Sequence, residues 1–123
     1  MIIIDYNDKR PIYEQIVERF QSLMLNGVLE PDTQLPSVRA LAIELSINAN
    51  TIQRAYSELE KDGFIYSVKG RGNFVRADDS LIFKQREKLL ENFKKLTKEC
   101  KSSGLLQEEL IKEISFIYTE VIK

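Results

Sequence analysis

Gln34-Leu-Pro-Ser-Val-Arg-Ala-Leu-Ala-Ile-Glu-Leu-Ser-Ile-Asn-Ala-Asn-Thr-Ile-Gln-Arg-Ala-Tyr56 decides the fold. The stretch divides into two short helices joined by a tight turn. Pro36 followed by Ser37 marks a helix start, because a serine side chain accepts a hydrogen bond from an orphan N–H of the first turn. Leu41, Ala42 and Leu45 then lay one apolar stripe along that helix. Ser46-Ile47-Asn48 breaks the pattern, and Asn48 caps a second helix whose inner face is Ile52, Ala55, Tyr56 and Leu59. Its outer face carries Asn50, Gln53, Arg54 and Ser57, side chains that reach base edges or phosphates. Two short helices, a three- to four-residue turn and a polar outer face on the second describe a DNA-reading helix-turn-helix.

Working outward, residues on both sides supply a frame for this unit. On the N-terminal side, Ile2, Ile3 and Ile4 form a β-branched run closed by Asp5-Tyr6-Asn7-Asp8, predicting a short strand and a turn. A strand this short needs a partner, so it is expected to join a later hairpin. Pro11 suits a helix start, and Ile12, Ile16, Phe20 and Leu23 follow at helical spacing, widened by Val17 and Met24 and stopped by Gly27. Val28 to Thr33 is a loop punctuated by Pro31.

On the C-terminal side, Gly63 ends the second motif helix. Phe64, Tyr66 and Val68 alternate along one strand, Phe74 and Val75 start the return, and Gly70-Arg71-Gly72 supplies the turn of a β-hairpin. Lys69 and Arg71 make the tip basic. The expected fold is mainly α with this small hairpin: a winged helix-turn-helix domain over residues 1–77, followed by a helical tail over 78–123. The tail's first helix aligns Ile82, Leu89, Phe93 and Leu96, with Cys100 continuing the stripe before Ser102-Ser103-Gly104 breaks it. The second aligns Leu106, Leu110, Ile114, Ile117 and Val121, with Ile111, Tyr118 and Ile122 as a further apolar row. A helical hairpin of about 45 residues cannot bury two apolar faces alone. The simplest cover is a second copy of the same hairpin.

Composition narrows the function. The chain has 123 residues and a formal net charge of −1, so bulk charge gives nucleic-acid binding no support. From Phe64 to Ala77, however, the charged residues are Lys69, Arg71 and Arg76, with no acid among them. Histidine is absent and there is one cysteine. Histidine-based acid–base chemistry, Ser-His-Asp triads and most zinc sites are thereby excluded, and no cofactor or metal is expected. The lone Cys100 reads as a core thiol, with redox sensing the lesser reading, and fits a reducing cytoplasm. The Met1 to Asp5 opening is too short for a signal peptide, and no run is long enough to span a membrane.

In combination, Pro11-Ile-Tyr-Glu-Gln-Ile16, Leu35-Pro36-Ser37-Val38-Arg39-Ala40-Leu41-Ala42, Asn48-Ala-Asn-Thr51-Ile-Gln-Arg-Ala-Tyr56 and Gly70-Arg71-Gly72-Asn73-Phe74-Val75 resemble the N-terminal domain of GntR-family bacterial transcription regulators. The short tail is similar to that of the YtrA subfamily, whose members are dimers and often sit beside ABC-transporter genes. Asp32 and Ser46 depart from the pattern, standing where the family usually has glycine. The resemblance implies DNA contacts from Arg39, from Ala49, Asn50, Thr51 and Gln53 in the major groove, and from Lys69, Gly70 and Arg71 at the minor groove. Ala49 lacks a hydrogen-bonding side chain, so an arginine contact made there by relatives is missing. Ser37 and Asn48 are caps first, with phosphate contact as a second role. Arg54 has two readings of equal weight, a phosphate contact or an ion pair with a nearby acid.

The expectation is a homodimeric, sequence-specific DNA-binding regulator, a repressor on an inverted-repeat operator, of an ABC-transporter operon if the subfamily's habit extends to it. Leu89, Phe93, Leu96, Leu110, Ile114, Ile117, Tyr118 and Val121 are the expected dimerisation residues. Any small-molecule effector would bind at the dimer interface or between tail and head, and no residue cluster names it. The alternative is a winged-helix protein-interaction module without DNA binding. An enzyme is not expected.

Overall fold

The computed structural model describes residues 2–120. Its elements run α1 (Ile12–Leu25), α2 (Val38–Leu45), α3 (Ala49–Lys61), β1 (Ile65–Val68), β2 (Gly72–Val75), α4 (Asp79–Ser102) and α5 (Gln107–Thr119). Two compact units are present, dividing between Phe83 and Lys84 inside α4. The first is a winged helix-turn-helix, as its sequence pattern predicts.

Each helix of the motif begins and ends for a local chemical reason. Ser37 Oγ accepts the Ala40 N–H at 3.0 Å, and Asn48 Oδ1 accepts the Asn50 N–H at 2.8 Å, so both predicted caps form. Helix α2 stops because Ser46 turns left-handed, with φ +55°, and the Ile47 N–H closes back on the Ala42 carbonyl at 3.0 Å. Asp32 is also left-handed, with φ +69°. These are the two positions at which the sequence departs from the pattern it resembles. A left-handed L-residue costs roughly 1–2 kcal/mol, part of which glycine returns through its freer unfolded chain. Ser46→Gly is therefore expected to raise unfolding stability by about 0.5–1 kcal/mol in urea titrations. Asp32 is a poorer choice for such a change, because its carboxylate accepts the Tyr66 hydroxyl at 2.7 Å.

The core lies where α1 and α3 meet. Ile16, Phe20 and Met24 from α1 pack with Ile52, Ala55, Tyr56 and Leu59 from α3, with Leu41 of α2 and with Phe64, Ile65 and Val75 from the hairpin. Phe20 meets Tyr56 edge-on, ring centroids 5.8 Å apart. The Tyr56 hydroxyl is satisfied by donating to the Pro36 carbonyl at 2.7 Å, which ties α3 to the residue just before α2's cap. Burial pushes that hydroxyl's pKa well above its ordinary value.

Two expectations are corrected. Residues Ile2 to Ile4 do not form a strand and do not join the hairpin. Gln15, a buried polar residue of α1, instead takes the place of a neighbouring strand: its amide accepts the Asp5 N–H at 2.9 Å and donates to the Asp5 carbonyl at 3.0 Å. The outer edge of β2 is occupied by the loop before α2. Asp32 N–H donates to the Val75 carbonyl, Val75 N–H to Thr33 and Leu35 N–H to Asn73, at 2.6, 2.9 and 2.9 Å.

The core-facing row of the hairpin is the one that holds Ile65 and Val75. Ile65 pairs with Val75 on the core side, whereas Tyr66 pairs with Phe74 and stacks on it at 5.6 Å. Phe64 is buried just ahead of the strand. The turn, finally, sits one residue early. Arg71 N–H donates to the Val68 carbonyl at 2.9 Å, so Lys69 and Gly70, the latter at φ +79°, form its centre.

Helix α4 starts within the first unit, where the Asp78 carboxylate accepts the Leu81 N–H at 3.0 Å, and runs on into the second. It ends at left-handed Gly104, φ +89°, with Leu105 N–H donating to the Cys100 carbonyl. Helix α5 begins with Glu109 accepting the Leu106 N–H. No described side chain of α4 or α5 is fully buried.

Candidate nucleic-acid interface

Helix α3 presents the residues expected to read DNA. Ala49, Asn50, Gln53 and Arg54 are exposed along it and Thr51 is half-buried. Its first turn leaves backbone N–H groups pointing out of the N-terminus beside Asn48, a favourable place for a phosphate. Arg39 is exposed on the first turn of α2, just after the Ser37 cap. Gln53 Nε2 donates to Ser57 Oγ at 3.3 Å, a bond long enough to exchange for a better acceptor.

Arg54 has a partner that neither sequence reading foresaw. Its guanidinium lies 3.8 Å from the centre of the Tyr13 ring, on the side of α3 that faces α1. A contact between residues this far apart in sequence leaves no local signal. Gln34 is a second residue missed: its side chain donates to the Arg71 carbonyl at 2.8 Å. Arg76, part of the basic run, lies 5.2 Å over the Tyr66 ring, while Lys69, Gly70 and Arg71 are exposed at the hairpin tip. The first unit thus carries two projecting polar features, the outer face of α3 and the basic tip.

The second unit carries an apolar groove. Phe93, Leu96, Cys100, Leu110, Ile114 and Ile117 line it from both helices. Phe93 is 51% exposed, Leu96 60% and Ile117 60%. Leu89 and Tyr118 extend the same surface. Val121 and Ile122 lie outside the described residues. Cys100 is half-buried at the end of the α4 stripe. No helix among the described residues is long and apolar enough to cross a membrane.

The family model described as "Bacterial regulatory proteins, gntR family" matches residues 12–75, from the start of α1 to the end of β2. The chain belongs to the gntR family. It is 39% identical over 120 residues to the HTH-type transcriptional repressor YtrA of Bacillus subtilis, covering 94% of this chain and 92% of that protein. Among solved structures, a GntR family transcriptional regulator from Listeria monocytogenes superposes with a TM-score of 0.75 at 33% identity, covering 89% of this chain and 97% of that one. AraR(DBD) in complex with operator ORE1 superposes at 0.52 with 29% identity, covering 61% of this chain and 92% of that one. The match to YtrA runs through the tail as well as the head, so the short second unit is shared with a relative of nearly the same length.

Proposed function

We propose that this gntR-family chain is a homodimeric transcriptional repressor that binds an inverted-repeat operator through α3 and the basic hairpin tip. The observation that carries this reading is the α3 face: exposed Asn50 and Gln53 follow an N-terminus capped by Asn48, with Arg39 exposed on the neighbouring helix. Asn and Gln suit bidentate pairing with adenine N6 and N7, arginine with guanine O6 and N7. Lys69 and Arg71 add contacts to the phosphate backbone or the minor groove. Ser37, Asn48, Ala49, Thr51, Arg54 and Gly70 complete the proposed contact set. The similarity to the YtrA repressor and to an operator-bound AraR domain supports both the DNA target and the sign of regulation.

The apolar rows that the tail leaves uncovered support pairing of two copies. A C2 pairing of α4 and α5 would fix the distance between two reading helices, giving half-sites about 34 Å apart or a multiple of it. An ABC-transporter operon is the proposed regulated target, through the YtrA likeness. An effector, if one acts, would bias the spacing of the heads through differential affinity.

Fluorescence anisotropy with DNA upstream of the protein's own operon, against a scrambled duplex at two salt concentrations, tests this reading. Tight, salt-dependent binding to the upstream fragment and much weaker binding to the scrambled one is expected. Absence of binding to a broad pool of random duplexes would move the protein-interaction module to first place. Arg39→Ala is expected to weaken operator binding by roughly 5- to 150-fold, the worth of one good bidentate base contact. Undiminished affinity would remove Arg39 from the contact set.

A further inference from the structure

We infer that Gln34 is a positioning residue that sets the reach of the hairpin tip relative to the reading helix, so that it governs recognition of the flanking DNA without contacting DNA itself. The inference rests on the DNA-binding reading above for its functional half and on geometry for the rest. Gln34 sits in the loop before α2, 37 residues from its partner, and its Nε2 donates to the Arg71 carbonyl at 2.8 Å. Its backbone is bridged to Phe74 of β2 in an antiparallel sense. The adjacent Leu35 N–H donates to the Asn73 carbonyl at 2.9 Å, so the backbone ladder runs along β2 and the Gln34 side chain extends it one step into the turn.

The fit there is close. Gly72 has φ +117°, and a Cβ at that position would meet Gln34 Nε2 at 3.2 Å. The other end of this connection is equally fixed. Pro36, two residues after Gln34, accepts the Tyr56 hydroxyl of α3 at 2.7 Å. A continuous series of bonded groups therefore runs from the reading helix through Tyr56, Pro36 and Gln34 to the backbone of Arg71. The turn centred on Lys69 and Gly70 is closed by the Arg71 N–H bond to the Val68 carbonyl, and its glycine adds freedom that the Gln34 contact restrains. The Gln34 amide fixes the peptide between Arg71 and Gly72, from which the Arg71 side chain departs.

The test uses Gln34→Met, which keeps the length of the side chain and removes its donor and its polarity without adding charge. In the full chain without DNA, backbone 15N relaxation at Gly70, Arg71 and Gly72 is the first readout. The variant should lower the order parameters there and leave those of α3 unchanged. Unchanged order at the tip would overturn the inference. The second readout is a double-mutant cycle with Arg71→Ala on operator DNA. Gln34→Met alone should cost about threefold to tenfold in affinity, the scale of one net hydrogen bond. Combined with Arg71→Ala it should add little, because both act through the same tip. Additive losses would mean that Gln34 touches DNA directly or acts elsewhere, and would overturn the inference. Failure of the unsubstituted protein to bind any DNA would defeat the DNA-binding reading itself, and the relaxation readout would then decide the positioning role alone.

Discussion

If the proposed dimer forms through the tail, Phe93→Glu is expected to leave the chain monomeric and to lower operator affinity by about 10²–10⁴-fold, the range over which two linked binding heads exceed one. Phe93 lines the tail groove and is half-exposed in the single chain. A glutamate there remains solvated before association, so folding of the chain should be little affected. On association the carboxylate would be carried into an apolar surface formed by Leu96, Ile114 and Ile117 and their copies. Burying an unpaired charge costs several kcal/mol, and a twofold interface meets that cost twice. Sedimentation equilibrium at micromolar protein, with anisotropy on the same samples, checks both halves. A variant that stays dimeric would remove Phe93 from the interface. A monomer with undiminished affinity would show that a single head suffices.

Phe20→Ala is expected to lower unfolding stability by about 3–5 kcal/mol, read from urea titrations followed by circular dichroism. Phe20 is fully buried and contacts the Tyr56 ring edge-on, so truncation empties the space between α1 and α3 and also removes an aromatic contact. A loss of this size is a large share of the roughly 5–15 kcal/mol that holds a domain together. The effect should reach DNA binding as well, because Tyr56 anchors Pro36 and thus the entry to α2. A loss below 1 kcal/mol would mean that the core collapses into the space without penalty.

The readable parts of this chain were those decided within a few residues. Ser37 and Asn48 cap helices in any context, the stripe from Ile12 to Met24 needs a core wherever it lies, and glycines at 63 and 104 stop helices locally. The misread parts depend on partners far along the chain. Ile2 to Ile4 have strand composition, but whether a strand forms depends on a free sheet edge. The loop before α2 already holds the edge of β2.

Gln15 reads as a surface residue until its amide is seen to satisfy both backbone groups of Asp5. The hairpin was found but its turn was placed one residue late, because two glycines flank Arg71 and composition alone cannot say which of them sits at the centre. Arg54 on Tyr13 and Gln34 on Arg71 join positions 41 and 37 residues apart, and neither pattern nor motif carries that information. The proposed contact residues were legible as types, and the exposure of Arg39, Asn50, Gln53, Lys69 and Arg71 agrees with the motif.

The loop that lies along β2 has a consequence for how copies of this protein behave at high concentration. Each strand of a two-stranded hairpin has an outer edge of N–H and C=O groups, a template on which another chain can add a strand. Here Asp32, Thr33 and Leu35 occupy that edge of β2 with their own backbone. Wings crowded together on neighbouring DNA sites therefore cannot join by strand addition through β2. Conditions that detach the loop, such as partial denaturation, should expose the edge and promote aggregation.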